Sequence, residues 1–378
     1  MTPVDRRQML SAFVALGSVV SLSGCSSTPA RPAPTALTAL TPVVTARQAW
    51  KIDVGPVALP LQMWTSGDRV AVASSQGQVA LIDAAAGQEQ WRVAVGAPVV
   101  AGVGGAGQHC ALVTRANELV MVQTGRVLWR KQLPAVCYTA PLVAGGRVFV
   151  LTADRAVTAF DARDGLKLWT QARVSDPLVL ARPGLLVPVG DTLLAGLAGR
   201  LVGLNPDTGQ PRWETLIGTS RGTNEIERLV DLVGGVHRDG LQLCVRSFQS
   251  SVACIDTRRG QLVWSRTAQG HSGLSGDAQN VYGVESDDRL QAWSASSGEP
   301  VWRQDALRYR VLTAPVLSAG SVVVGDAQGV VHWVDRADGQ LRGRMVPDGS
   351  SISLTPVQAG NTLVVVTAKG AVFGYRPA

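Results

Sequence analysis

His109, His237, His271 and His332 are the chain's only histidines, and they stand far apart, with no H-x-x-H, H-E-x-x-H or C-x-x-C spacing around them. The sequence therefore offers no zinc site. No G-x-S-x-G nucleophile elbow, no phosphate-binding P-loop and no placeable catalytic Asp motif occurs. The glycine-rich run 102–107 (GVGGAG) lies between strand-like segments with no helical pattern after it, and it reads as a turn. Cys244 and Cys254 flank a predicted hairpin that turns near Gln249–Ser251. Both a disulfide and a free buried pair fit that placement. Cys110 and Cys137 lie in consecutive repeats, and no geometric argument joins them.

The fifth cysteine, Cys25, sits at the end of a different signal. Arg6 and Arg7 give a positive start, Met9 to Val20 a short apolar core, and Leu22-Ser23-Gly24-Cys25 closes it. This resembles the lipobox of bacterial lipoproteins. The resemblance implies cleavage before Cys25 and acylation of that residue, which anchors the chain to a membrane. Ser26, where an Asp would favour retention, implies the outer membrane. The arginine pair points only weakly to twin-arginine export, because the rest of that motif is incomplete. Residues 26 to about 45 hold Pro29, Pro32, Pro34 and Pro42 among Ala, Ser and Thr, a composition that reads as a semi-extended tether. At ~3.1 Å per residue such a tether reaches at most roughly 60 Å.

Composition limits the rest. The 378 residues carry a formal net charge of +7, with 41 Gly, 20 Pro and 17% charged residues, and no Lys/Arg run exceeds two. That distribution suits a solvated surface and argues against a nucleic-acid partner. No segment after residue 24 is long and apolar enough to span a bilayer as a helix. Export places the four remaining cysteines in a disulfide-permissive compartment.

The elements that must position any site are set by a nine-residue repeat, D-x-x-x-G-x-x-x-W. Full copies are Asp83/Gly87/Trp91, Asp161/Gly165/Trp169 and Asp256/Gly260/Trp264. Substituted copies are Asn205/Gly209/Trp213, Ser294/Gly298/Trp302 and Asp335/Gly339 with Gly343 in the Trp position. A shortened copy keeps Gly125 and Trp129, and Trp50 stands alone. The period of about 40 residues, with short β-branched runs before each Asp, predicts an all-β, eight-bladed β-propeller over residues 46–378. The Asp or Asn should close an Asx-type turn, the Gly should take φ > 0, and the Trp should fill the wedge between sheets. Three strand-like runs end the chain without a fourth, so the strand carrying Trp50 is expected to complete blade 8. Trp333 is the candidate to compensate for Gly343. The widest gap between in-register positions falls between Trp213 and Trp264.

The repeat is similar to that of quinoprotein alcohol dehydrogenases, propellers that hold pyrroloquinoline quinone above Ca²⁺. Those enzymes carry an adjacent cysteine pair that this chain lacks, and shared repeats report packing rather than catalysis. A closer resemblance lies in Gly222-Thr223-Asn224-Glu225-Ile226-Glu227-Arg228-Leu229 with Asp231, and in residues 312–333 (LTAPVLSAGSVVVGDAQGVVHW). Both resemble segments of the BamB family, propeller lipoproteins of the outer-membrane β-barrel assembly machinery. The resemblance implies a non-enzymatic protein with no cofactor, facing the periplasm. Its implied partners are the periplasmic domains of the central barrel-assembly protein and other assembly lipoproteins. The family's contact surface uses a Leu-x-Leu-Arg segment and acidic residues after E-I-D-R-L. Here Leu178 and Leu180 match the leucines, Arg182 comes one residue late after Ala181, and Asp231 is the acidic position kept, with Val233 at the second.

Geometry gives the same location. The leucines lie between blades 3 and 4, and the 218–228 loop with Asp231 lies between blades 4 and 5. Connections from an outer strand to the next inner strand all emerge on one face of a propeller, so the two should be neighbours. The expected partner site is Leu178, Leu180, Arg182, Glu225, Arg228 and Asp231. The competing expectation is that the leucines cap the core and Asp231 pairs with Arg228. A quinone-dependent enzyme is the alternative function. A glycan binder is a third, and it would need exposed aromatics beyond the out-of-register Trp64, Trp293 and Trp333.

Overall fold

The computed structural model describes residues 32–173, 178–219 and 229–378, and among them every regular element is a β-strand. The strands form eight four-stranded antiparallel sheets, seven of them built from consecutive strands. The eighth joins both ends of the chain: Ala46–Asp53 pairs antiparallel with Ala371–Pro377 as its outer strand. Closure of this kind leaves no sheet waiting for a partner strand at the seam. The middle strands of each blade, such as Arg147–Leu151 and Ala156–Asp161 in blade 3, are almost wholly buried apolar runs because both faces meet neighbouring blades.

The nine-residue repeat works between blades rather than within one. Asp83, Asp161, Asn205, Asp256 and Asp335 each accept a backbone N–H two or three residues on through a side-chain oxygen. In the Asp83, Asp161, Asn205 and Asp335 turns the glycine then donates to the carbonyl of that first residue, as Gly165 does to Asp161 at 2.9 Å. The tryptophan of the preceding blade lies on that glycine. Gly298 has φ +72°, and a Cβ there would fall 2.5 Å from the Trp264 ring. Trp50, Trp129, Trp169, Trp264 and Trp302 donate Nε1–H to Ala84, Ala162, Pro206, Ala295 and Arg336 carbonyls at 2.8–3.0 Å. Each acceptor directly follows the turn's Asp, Asn or Ser. Trp91 departs from this pattern and donates to the Gln108 side chain at 3.0 Å. The turn it faces is the shortened one, where Thr124 and Gly125 both have positive φ in a two-residue hairpin that leaves no such carbonyl.

Gly343 now has a physical reason. Blade 8 receives its outer strand from the other end of the chain, so it has no D-x-x-x-G turn for a blade 7 tryptophan to cover. The N-terminal segment fills the space instead. Val43 and Val44 donate to the Arg342 carbonyl at 2.7 and 3.0 Å, and a Cβ on Gly343 would lie 2.4 Å from the Val44 oxygen. Trp333 pairs across from Gly343 and is buried against Val365 and Phe373, so it belongs to the core and does not substitute for the missing residue. Residues 35–44 are correspondingly not free chain, a departure from the tether expected over 26–45.

The run 102–107 also differs from its expected turn. Residues 102–106 belong to the inner strand of blade 2, Val99–Ala106. Inner strands converge on the axis, and glycine lets them approach: a Cβ on Gly104 would meet the Pro141 carbonyl, and one on Gly105 would meet the Trp64 ring at 2.6 Å.

Candidate functional site

Leu178 and Leu180 lie in the connection from the outer strand of blade 3, Lys167–Ala172, to the inner strand of blade 4, Leu186–Val189. Asp231 ends the connection from Pro211–Leu216 to Leu232–Asp239, one blade further on. The two connections meet through a residue that sequence reasoning missed. Arg155, at φ +58° in the hairpin between the middle strands of blade 3, reaches across both. Its Nη1 donates to Asp231 Oδ1, and its Nη2 donates to the Leu178 carbonyl at 2.9 Å. The other carboxylate oxygen of Asp231 accepts the Leu180 N–H at 2.9 Å. The Asp231 main-chain carbonyl accepts from Phe248 N–H, which ties the same point to blade 5. Asp231 thus pairs with Arg155; Arg228, its partner in the competing expectation, lies outside the described residues. The signal available was the charged pair Asp154-Arg155 at the turn of the hairpin 147–160; its reach was not.

The segment that follows is stitched on both sides. Gly184 N–H donates to Thr139 Oγ1 at 3.0 Å, and Gly234 N–H donates to the Pro183 carbonyl at 2.8 Å. With its backbone held inward, Leu178 presents its side chain outward at 36% exposure, while Leu180 is half-buried. Leu180 and Asp231 line a small pocket of about 50 Å³ with Tyr138 and Thr139. Arg182 stands between this pocket and a cavity of about 330 Å³ on the propeller axis. Its guanidinium is half-buried, desolvation lowers its pKa, and among the described residues it has no carboxylate partner. Glu225 and Arg228 lie outside the described residues.

The axial cavity is lined by Leu61, Met63, Leu274, Leu312, Ile352 and other largely apolar residues; among the described residues Arg182 and His271 are its titratable groups, with no Asp or Glu. Ca²⁺ is held by carboxylate and carbonyl oxygens, so this lining does not fit a quinone–Ca²⁺ pair. Among the described residues no three His, Cys, Asp or Glu side chains converge anywhere. Trp293 and Trp333 are buried and Trp64 is half-buried against Gly105, so they form no exposed aromatic row. Cys244 and Cys254 face each other directly across adjacent strands and are joined by a disulfide, with Cα atoms 4.0 Å apart. Cys110 and Cys137 are separate, buried thiols.

The sequence profile described as outer membrane protein assembly factor BamB matches residues 37–102, 75–304 and 297–378. The chain belongs to the BamB family. It is 37% identical over 372 residues to the outer membrane protein assembly factor BamB of Burkholderia pseudomallei, covering 95% of this chain and 96% of that one. The crystal structure of BamB from Moraxella catarrhalis superposes with a TM-score of 0.80 at 25% identity, covering 88% of this chain and 100% of that one. The quinohemoprotein alcohol dehydrogenase of Comamonas testosteroni has a TM-score of 0.67 at 13% identity, over 87% of this chain and 76% of its own. That likeness is one of fold alone. In this BamB-family chain the contact-segment positions named above come together as one stitched unit, apart from the two that lie outside the described residues.

Proposed function

We propose that the chain is a non-enzymatic scaffold of the outer-membrane β-barrel assembly machinery, anchored to the outer membrane through lipid on Cys25 and facing the periplasm. It docks the periplasmic domains of the central barrel-assembly protein on the face around Leu178, Leu180, Arg182 and Asp231; Glu225 and Arg228, outside the described residues, belong to the same expected site. The names carried by the relatives support the machinery. The single observation that supports the surface is the two-pronged grip of Arg155 on Asp231 and on the Leu178 carbonyl. It fixes the backbone of an exposed apolar loop from beneath, so the leucine is presented without being needed to cap the core. A pre-ordered apolar centre with a charged rim suits a protein interface, because little ordering entropy remains to be lost on binding.

Replacing Leu178 and Leu180 together with Asp should abolish co-purification with the barrel-assembly protein from solubilised outer membranes while thermal unfolding stays nearly unchanged. Arg155→Ala should weaken the same capture by releasing the loop, with Asp231 left without its cation. Intact capture by the double leucine variant would refute this face, and loss of its fold would favour a capping role. Cys25→Ser should leave a precursor that takes up no labelled palmitate; uptake by that variant would refute the anchor.

A further inference from the structure

The N-terminal segment before blade 8 is built into the ring at three places, and each contact uses a feature that the propeller otherwise leaves unexplained. We infer that residues 35–44 form a rim strap that fixes where the membrane anchor leaves the propeller, and that this point lies on the face carrying the docking loops. The first contact is at Thr35, whose N–H donates to the Arg308 carbonyl and whose carbonyl accepts from Arg310 Nη1, both at 3.0 Å. Arg310 is itself held in the core: its Nε donates to Asp326 at 2.6 Å, and the same carboxylate oxygen is 2.9 Å from His332 Nε2. The loop around it carries Tyr309 and Val311 at φ +61° and +57°, conformations that L side chains rarely adopt. Asp288 fixes that loop by accepting the Val311 and Leu312 N–H groups at 2.9 Å.

The second contact is Leu37, which packs on the apolar seam between blades 6 and 7 that includes Trp302, Leu317 and Leu341. The third is the pair of bonds from Val43 and Val44 to the Arg342 carbonyl, over the missing side chain of Gly343. Arg308 and Arg310 belong to the connection from the outer strand of blade 6 to the inner strand of blade 7. That is the same kind of connection, and hence the same face, as those carrying Leu178 and Asp231. Arg342 lies at the start of the outer strand of blade 7, Leu341–Met345, at the opposite face. The strap therefore crosses the rim from one face to the other, and the chain then turns back as the outer strand of blade 8.

The consequence for the anchor rests on the lipid-anchor reading above. The ten residue steps from Cys25 to Thr35 can span no more than about 35 Å, half of what twenty would allow. A short leash tied at the rim of the docking-loop face turns that face toward the bilayer.

The strap is tested by hydrogen exchange on the full mature chain in detergent. The Thr35, Val43 and Val44 amides should exchange at least roughly tenfold more slowly than unprotected chain, since each is hydrogen-bonded and held by tertiary contacts. Gly343→Ala should abolish protection at Val43 and Val44 while the 46–53 strand stays protected. If that variant does not fold, Leu37→Asp serves the same purpose at the seam. Unprotected amides in the parent chain, or unchanged protection in both variants, would overturn the strap. Orientation is tested with the acylated chain on phosphatidylethanolamine–phosphatidylglycerol vesicles carrying a headgroup quencher. A fluorophore on Gln328→Cys, in an exposed turn of the docking-loop face, should be quenched more than one on Ala337→Cys, in an exposed turn of the other face. Equal or reversed quenching overturns the orientation. Failure of the chain to bind vesicles instead refutes the lipid anchor and leaves the exchange result standing.

Discussion

Removing one interlock between blades should have a cost that depends on its partner. Trp264 is 6% exposed, donates to the Ala295 carbonyl at 2.8 Å and covers Gly298. Trp264→Ala should cost about 3–5 kcal/mol, the usual range for emptying a buried aromatic site. Gly298→Ala acts on the same contact from the other side. Its Cβ would demand φ +72° and would sit 2.5 Å from the Trp264 ring. The left-handed backbone costs an L-residue about 1–2 kcal/mol, and overpacking adds roughly 1–3. In a Trp264→Ala background the overpacking disappears because the ring is gone, and only the backbone cost remains. The double variant should therefore be more stable than the sum of the single losses by at least about 1 kcal/mol, well beyond the ~0.5 kcal/mol scatter of independent sites. Urea titrations of the four chains give this coupling directly. Losses that add within that scatter would refute the claim that the tryptophan of one blade and the turn glycine of the next form one unit.

Two further outcomes are expected. Peptide mapping without reductant should recover Cys244 joined to Cys254, a bridge worth about 2–3 kcal/mol for so short a loop; Cys110 and Cys137, whose thiols burial pushes up to about 12, should react with alkylating reagents only on unfolding, and prompt labelling would contradict their placement. Burial lowers the pKa of His332 against the opposing hydrogen bond to Asp326, so the unfolded chain binds this proton more readily than the folded one. Stability from this group is present above its ordinary value near ~6.5 and is lost as the pH falls through the depressed value. The urea midpoint should accordingly fall between pH 7 and pH 5, and less steeply in His332→Gln; an equal slope in both chains would rule this histidine out as a source. His237 is lowered for the same leading reason and keeps part of the slope in the variant.

What the sequence determined by itself was whatever repeats. A turn that needs Asp, then Gly with positive φ, then Trp leaves those residue types at fixed intervals, so blade number, outer strands and closure through Trp50 were legible at once. Even the exceptions were visible as gaps in the register at Gly125 and Gly343. Their meaning was not, because it depends on what the neighbouring blade presents. The two-residue turn at Thr124–Gly125 sends Trp91 to a side chain, and the chain seam beside blade 7 leaves room for Val44 where another blade would have a tryptophan. The meeting of the Leu178 and Asp231 connections followed from propeller topology. The residue that joins them did not, since Arg155 lies 76 positions from Asp231 and nothing local to either marks the pair. Periodic packing is written in residue types because each copy solves the same local problem. A contact made once, between loops brought together only by ring closure, leaves no repeated mark and is decided by the tertiary structure alone.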